Sequence, residues 1–307
     1  MVKIAIIGLG YWGTNILRNF YVLESVQEIL VFDLNREKIN QIKNDFPNIT
    51  AAKSFENVLE SAAQAVVVAT SPLSTHYQLG KAVLNAGKHL WLEKPLAASA
   101  VEVNDLIETA NNQNVRLHVD HTFCYANPVN GIKDILDRKE LGQIKHISMT
   151  RTNILPPKTS EDVFWDLVYH DLYLLSYWFG DEFYLKESRG QNIFKSGFKD
   201  DGHIFLESGS GMTADIKASL VESKKIRQIS IFGDKKILFY DDLDKTSAVK
   251  LYDLASESFS DKPGLNDNQE PLLTEVKYFI DCISRNAESK TNGVAALEVI
   301  KLLGSIS

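Results

Sequence analysis

Three groups of residues in this chain have types and spacings suited to chemistry. The first is Gly8-Leu9-Gly10-Tyr11-Trp12-Gly13, with Asp33 twenty residues past its last glycine. Gly8 permits a sharp turn, Gly10 permits close approach of backbone to a pyrophosphate, and Gly13 permits tight helix–strand packing. The N–H groups at the start of a helix attract phosphate, and an acid at this distance accepts hydrogen bonds from a ribose. The second is Lys94, between Glu93 and Pro95 at the end of an apolar run. A cation past a parallel strand lies on the ligand side of the sheet, although lysine there is commonly just solvated. The third is Asp166 with His170, four residues apart and so on one face of a helix. A carboxylate beside an imidazole tunes a general base; the plainer alternative is a surface pair. Trp165, Leu167, Val168 and Leu172 surround that pair with apolar side chains and favour its burial.

Weaker signals lie elsewhere. His118-Val119-Asp120-His121 offers metal donors, but on a strand the two histidines point to opposite faces, and no metal is expected. Lys225 and Arg227 alternate along a predicted strand and share a face, where with Arg151 they could grip a diphosphate, or pair with acids such as Glu222. Tyr125 could offer its ring or hydroxyl to a sugar or base.

The elements that must position these groups follow from hydrophobic periodicity. A short apolar run at 4–7 leads into the glycines, Ile16, Leu17 and Phe20 recur at helical spacing, and a second run at 29–32 ends at Asp33. Further strands are expected at 65–69, 89–92 and 115–119, with helices between them, Gly87 closing one and a Ser99–Glu102 capping box opening another. Such alternation predicts a doubly wound parallel sheet of the Rossmann type. After His121 the pattern changes. Helices at 132–136 and 165–179, strands at 144–152, 203–207, 212–220, 226–232, 237–240 and 249–252, a hairpin turn at 209–211 and closing helices at 271–283 and 294–303 predict an α+β half on a mostly antiparallel open sheet. The boundaries expected are 1–122 for the first domain and 123–307 for the second.

Composition narrows the classes. A net charge of −7 over 307 residues argues against nucleic acid as a partner. No apolar stretch is long enough to span a membrane, and no signal-type segment opens the sequence, so the cytoplasm is the expected compartment. Cys124 and Cys282 do not suggest a disulfide framework.

Taken together, Gly8–Gly13, Asp33, the run Ala69-Thr70-Ser71-Pro72 with His76, Ala86-Gly87-Lys88-His89, Glu93-Lys94-Pro95 and Asp166-x-x-x-His170-Asp171 resemble the glucose–fructose oxidoreductase/inositol dehydrogenase (Gfo/Idh/MocA) family along essentially the whole chain. Gly10-Tyr11-Trp12-Gly13, His121-Thr122-Phe123-x-Tyr125, Trp165-Asp166-Leu167, Lys225-Ile226-Arg227 and Tyr240-Asp241-Asp242 look most like members acting on nucleotide sugars. The resemblance implies a cofactor site of Gly8, Gly10, Tyr11, Trp12, Gly13, Asp33, Thr70, Ser71, Pro72, His76, Glu93 and Lys94, and a cis Lys94–Pro95 bond. It implies that Lys94 touches the reacting hydroxyl, that His170 accepts its proton, that Asp166 positions the substrate, and that Tyr125 and Arg151 help bind it. Dinucleotide binding by the first domain, substrate binding and oligomerisation by the second, and a homodimer or homotetramer through the second sheet are implied as well. Val168 and Asp120 depart from the family, standing where many members have glycine. Asp33 should repel a 2′-phosphate, which favours NAD, with Arg36 leaving NADP open. The expected activity is hydride transfer between a sugar ring carbon and nicotinamide. The alternatives are an NADP-dependent ketoreductase, a redox-neutral reaction through transient oxidation, and a non-catalytic dinucleotide sensor, which would have no need of Lys94, Asp166 and His170 together.

Overall fold

The computed structural model describes residues 1–156, 161–180, 182–267 and 269–306. The chain divides into two units, one of residues 1–122 and 269–300, the other of residues 123–268 and 301–307. The first begins β1 (Val2–Ile7), α1 (Tyr11–Tyr21), β2 (Val26–Phe32), α2 (Arg36–Asp45), β3 (Thr50–Ala51), α3 (Phe55–Glu60), β4 (Ala65–Val68), α4 (His76–Asn85), β5 (His89–Leu92), α5 (Ala100–Asn112) and β6 (Leu117–Val119). The six strands are parallel, in the order β3-β2-β1-β4-β5-β6. Strand order reverses direction at β1/β4, the switch point at whose carboxyl ends such sheets bind ligands. All four residues of β4 are buried, as the continuous apolar run requires of a strand covered on both faces. Ser54, Asn35 and Ser99 cap the helices that follow them through their side-chain oxygens. Gly87 follows α4 at φ +69°, a conformation that favours glycine.

The second unit holds α6 (Asn127–Asp137), β7 (Ile144–Ile154), α7 (Tyr169–Phe179), β8 (Phe183–Gln191), β9 (Asp201–Ser208), β10 (Thr213–Ser219), β11 (Val221–Gly233), β12 (Lys236–Asp241), β13 (Val249–Asp253) and β14 (Ser258–Asp261). These strands form an eight-stranded sheet in the order β14-β13-β12-β11-β7-β10-β9-β8. Every pairing is antiparallel except β7 with β10. The hairpin turn expected at 209–211 joins β9 and β10, with Gly211 at φ +85°.

Alternation sorts this sheet into two faces. Ile147, Met149, Ala214, Ile216, Ile204, Leu206, Ile229, Ile231 and Leu238 are buried together on the helix side. The other face of β7 and β10 carries His146, Ser148, Thr213 and Asp215, which hydrogen-bond to one another. Apolar residues fall on both alternations of β11: Ile229 and Ile231 belong to the covered face, while the partly buried Ile226 and Phe232 lie on the open one. Phe205, 44% exposed, and the Phe239–Phe259–Tyr252 rings, with Phe259 67% exposed, give that open face apolar side chains beside its polar network.

The chain closes with α8 (Pro271–Arg285) and α9 (Gly293–Ser305). A boundary at 122 would place both in the second half, yet α8 and most of α9 belong to the first unit. The apolar stripe Leu272, Val276, Phe279, Ile280 and Ile283 joins a buried cluster with Ile4, Ile6, Ile16, Leu17, Phe20 and Trp91. Burying each such side chain contributes roughly 1.5–3 kcal/mol, and a stripe shows that a helix needs a partner without showing which one. Among the described residues no helix is long and apolar enough to cross a membrane.

Candidate active site

In the first unit the glycine motif has the geometry of a phosphate cradle. Gly8 lies at φ +90°, and a Cβ there would overlap the Ala69 carbonyl oxygen. A Cβ on Gly13 would overlap the carbonyl oxygen of Gly8, whereas the space over Gly10 is open. Gly10 is the N-cap of α1 and offers no side-chain cap, so the first N–H groups of the helix remain for a bound anion. Asp33 is fixed at the end of β2: its carboxylate accepts the Leu9 N–H at 2.7 Å and the Asn35 N–H at 2.8 Å. Gly8, Gly10, Asp33, Thr70 and Ser71 line one cleft of about 1330 Å³, joined by Arg36, Lys38 and Lys53. These residues fit the adenosine and pyrophosphate of a dinucleotide.

Other expected cofactor residues take different positions. Tyr11 is 86% exposed and does not line the cleft. His76 is a buried strut: its ring nitrogens lie 2.8 Å from the Pro95 carbonyl oxygen and 2.9 Å from that of Thr70. It holds the chain after β4 to the chain after β5, so its expected role at the cofactor becomes an indirect one. Both Pro72 and Pro95 follow cis peptide bonds, and Lys94 is partly exposed just past β5. Trp12 turns inward, and its indole donates to Asp120 at 2.7 Å.

Asp120 opens onto a buried polar cluster. His118, fully buried, contacts Ser289 at 2.8 Å and Glu275 at 3.1 Å through its two nitrogens, so it is committed to structure. Glu275 also accepts the His121 N–H at 3.0 Å. Burial pushes the Glu275 carboxyl up to about 8 and the His118 imidazole down to about 3, which makes their contact one between neutral groups. Burial, then the Lys94 charge, drives His121 well below the ordinary histidine value. Among the described residues no group of three or more His, Cys, Asp or Glu side chains is arranged to hold a metal.

In the second unit Asp166 lies in a π-helical turn, Phe164–Val168, that leads directly into α7. The Tyr169 N–H reaches the carbonyl of Phe164, five residues back. Turns of this kind widen a helix locally and are frequent at functional sites. Val168, the departure from glycine, is its buried last residue. His170 follows in the first turn of α7, partly exposed, with the Phe123 ring against it at 5.2 Å and 70°. Phe123 is itself held by two guanidinium groups, Arg151 at 5.0 Å and Arg227 at 5.7 Å from its centroid.

Arg151, expected at the substrate, is buried instead in a forked pair with Asp171, with Nη2 donating at 2.7 Å and Nε at 3.1 Å. It fixes the residue next to His170 rather than presenting itself to a ligand. Arg227 donates to Asp242 at 3.1 Å, and the Tyr240 hydroxyl donates to the same carboxylate at 3.0 Å. Of the expected diphosphate pair, then, Arg227 is engaged and Lys225 is exposed; Glu222 is taken by Lys217 at 2.6 Å. Tyr125 is buried. Sequence reading gave no role to Phe123, Asp171 or the π turn, although the motifs His121-Thr122-Phe123-x-Tyr125 and His170-Asp171 contain the two residues.

Fold and cleft together define an NAD-binding oxidoreductase. The family described as "Oxidoreductase family, NAD-binding Rossmann fold" matches residues 2–121, and the "GFO/IDH/MocA C-terminal domain" matches residues 129–239. The chain belongs to the Gfo/Idh/MocA family, whose members include NAD(P)-dependent dehydrogenases of sugars and polyols, and it is a dehydrogenase acting on a CH–OH group. Myo-inositol 2-dehydrogenase of Thermotoga maritima is 24% identical over 81% of this chain and 78% of its own length. UDP-N-acetylglucosamine 3-dehydrogenase of Acidithiobacillus ferrooxidans is 23% identical over 97% of this chain and 94% of its own. Its solved structure has a TM-score of 0.87 at 23% identity, covering 99% of this chain and 96% of that one. An oxidoreductase from Agrobacterium radiobacter, solved with NAD+, L-tartaric acid and magnesium, has a TM-score of 0.85 at 17% identity, covering 99% of this chain and 95% of that one.

Proposed function

We propose that this dehydrogenase uses NAD to oxidise a ring hydroxyl of a nucleotide-linked sugar. The observation that carries the substrate class is the correspondence, along 97% of this chain, with an enzyme named for UDP-N-acetylglucosamine. NAD is favoured over NADP because the Asp33 carboxylate, fixed by two backbone N–H groups, would repel a 2′-phosphate. When bound, the nicotinamide supplies the hydride acceptor. Lys94 polarises the reacting hydroxyl, His170 takes its proton, and Asp166 orients the sugar. Phe123 and the Arg151–Asp171 pair keep the His170 imidazole in place. Residues 1–122 carry the cofactor and the following sheet carries substrate groups and self-association, with a homodimer or homotetramer as the working assembly in the cytoplasm.

A second reading, a free sugar or polyol as substrate, is favoured by the Arg227–Asp242 pair, which occupies a cation otherwise suited to a diphosphate. A panel of UDP-, dTDP- and GDP-sugars against free hexoses, hexose phosphates and inositols separates the two. Nucleotide sugars alone should drive NAD reduction; turnover confined to free sugars or inositols overturns the substrate class. Titrating both cofactors tests the other half, and tighter NADP binding would contradict it.

A further inference from the structure

Asp120 has an unusual set of partners for a residue 3% exposed. Its Oδ2 accepts the indole N–H of Trp12 at 2.7 Å and that of Trp91 at 3.1 Å, and its Oδ1 accepts the Thr122 hydroxyl at 3.1 Å. An indole N–H can only donate, so Oδ2 must accept twice, which an ionised carboxylate does readily. A proton on Oδ2 would expel an indole, and a proton on Oδ1, with the Thr122 hydroxyl turned to accept it, would leave both indoles on a neutral oxygen that holds them about half as strongly as a charged one. The three donors come from different elements. Trp12 is in the first turn of α1, two residues past the Gly10 N-cap; Trp91 is on β5, three residues before Lys94; Thr122 lies just past β6. One carboxylate thus ties the phosphate-facing turn to the carboxyl ends of two strands of the same unit.

We propose that Asp120 is a positioning residue of the dinucleotide site: ionised, it holds Trp12 and with it the first turn of α1 in the cofactor-binding position, and on protonation it lets that turn go. The proposal rests on the NAD-binding fold and not on the substrate class proposed above. The titratable groups that act on this carboxylate are Glu275 from α8 and His118 from β6; Lys290, before α9, acts on both of these, and Lys94, past β5, on the neighbouring His121. The first turn of α1 brings no acid. Burial, then the Glu275 charge, pushes Asp120 up to about 7, against the hydrogen bonds from Trp12 and Trp91 that favour the ionised form. The sign follows: the holding form prevails above neutrality and is lost as pH falls through it.

The test reads the cofactor-free protein first. Its tryptophan emission should shift sigmoidally with a midpoint near neutrality, and Asp120→Asn, which keeps an acceptor but cannot titrate, should abolish the shift. Calorimetric affinity for NAD+, and for ADP-ribose, which lacks the nicotinamide, should fall about tenfold between about pH 8.5 and about pH 6 in the native protein, and stay level in Asp120→Asn. Trp12→Phe, at a partly exposed position, should bind both ligands several-fold more weakly at high pH and show no pH dependence. Retention of the native pH dependence in Asp120→Asn, or native affinity in Trp12→Phe throughout, overturns the proposal. Should Asp120→Asn fail to fold by circular dichroism, Trp12→Phe decides alone.

Discussion

His170 and Asp171 are neighbours on α7 with separate tasks. The first meets Phe123, and the second locks Arg151 in a forked pair with side-chain exposures of 8% and 2%. Removing one member of such a pair leaves the other charge buried without compensation. Arg151→Met should therefore cost about 3–5 kcal/mol of stability, read from urea unfolding, and lower turnover by displacing His170. A change within experimental error would mean that water or another group takes over at Asp171. Lys94→Ala and His170→Ala should each remove turnover by about 10²–10⁴-fold. In both variants NAD affinity by calorimetry should stay within a few-fold of native, since the cleft around Asp33 is untouched. Near-native turnover in either would show that the proposed roles are misplaced. Much at this scale could be read from sequence: Gly8, Gly13 and Asp33 act through local backbone geometry. His76, Arg151 and Arg227 could not, because what they do depends on Pro95, Asp171 and Asp242, whose proximity only the fold creates.

At the scale of elements, periodicity identified most strands and helices but not which layer a helix joins. The apolar stripe of α8 fits equally well in either half, and its place against Phe20 and Trp91 is set by the packing of the Phe279 ring on them at 6.5 Å and 5.3 Å. The π turn left no trace, because one extra residue in a helical turn alters neither composition nor spacing enough to notice. Docking α8 also buries Glu275 against β6, with consequences for stability. Glu275 and Asp120 are both pushed upward, to about 8 and about 7, so the folded chain holds protons that the unfolded chain has released. Stability from these groups is present at low pH and lost as pH rises to about 8. His118, pushed down to about 3, works the other way, but only below its ordinary value near 6.5. Between those limits the carboxyl groups dominate, so the melting temperature should decline by a few degrees from about pH 6.5 to about pH 8.5, and Glu275→Gln should flatten the decline. A steeper decline in the variant would contradict the assignment.

For the whole molecule, the fold class was legible because βαβ alternation and an antiparallel meander leave different hydrophobic rhythms. The open face of the second sheet is mixed: beside the His146–Asp215–Ser148–Thr213 network it carries Phe205, Phe232, Phe239 and Phe259, so self-association through it would bury apolar rings. It should accordingly survive high salt, as read by light scattering at micromolar concentration, and dissociation in high salt would contradict that. The proposed chemistry is read most directly by mass spectrometry of UDP-N-acetylglucosamine, a nucleotide-linked sugar, incubated with the protein and NAD, with NADH followed in the same sample. A sugar nucleotide lighter by one hydride and one proton, formed in equal amount with NADH, is expected. An unchanged sugar nucleotide, alongside NADH produced from a free sugar or an inositol, would contradict it.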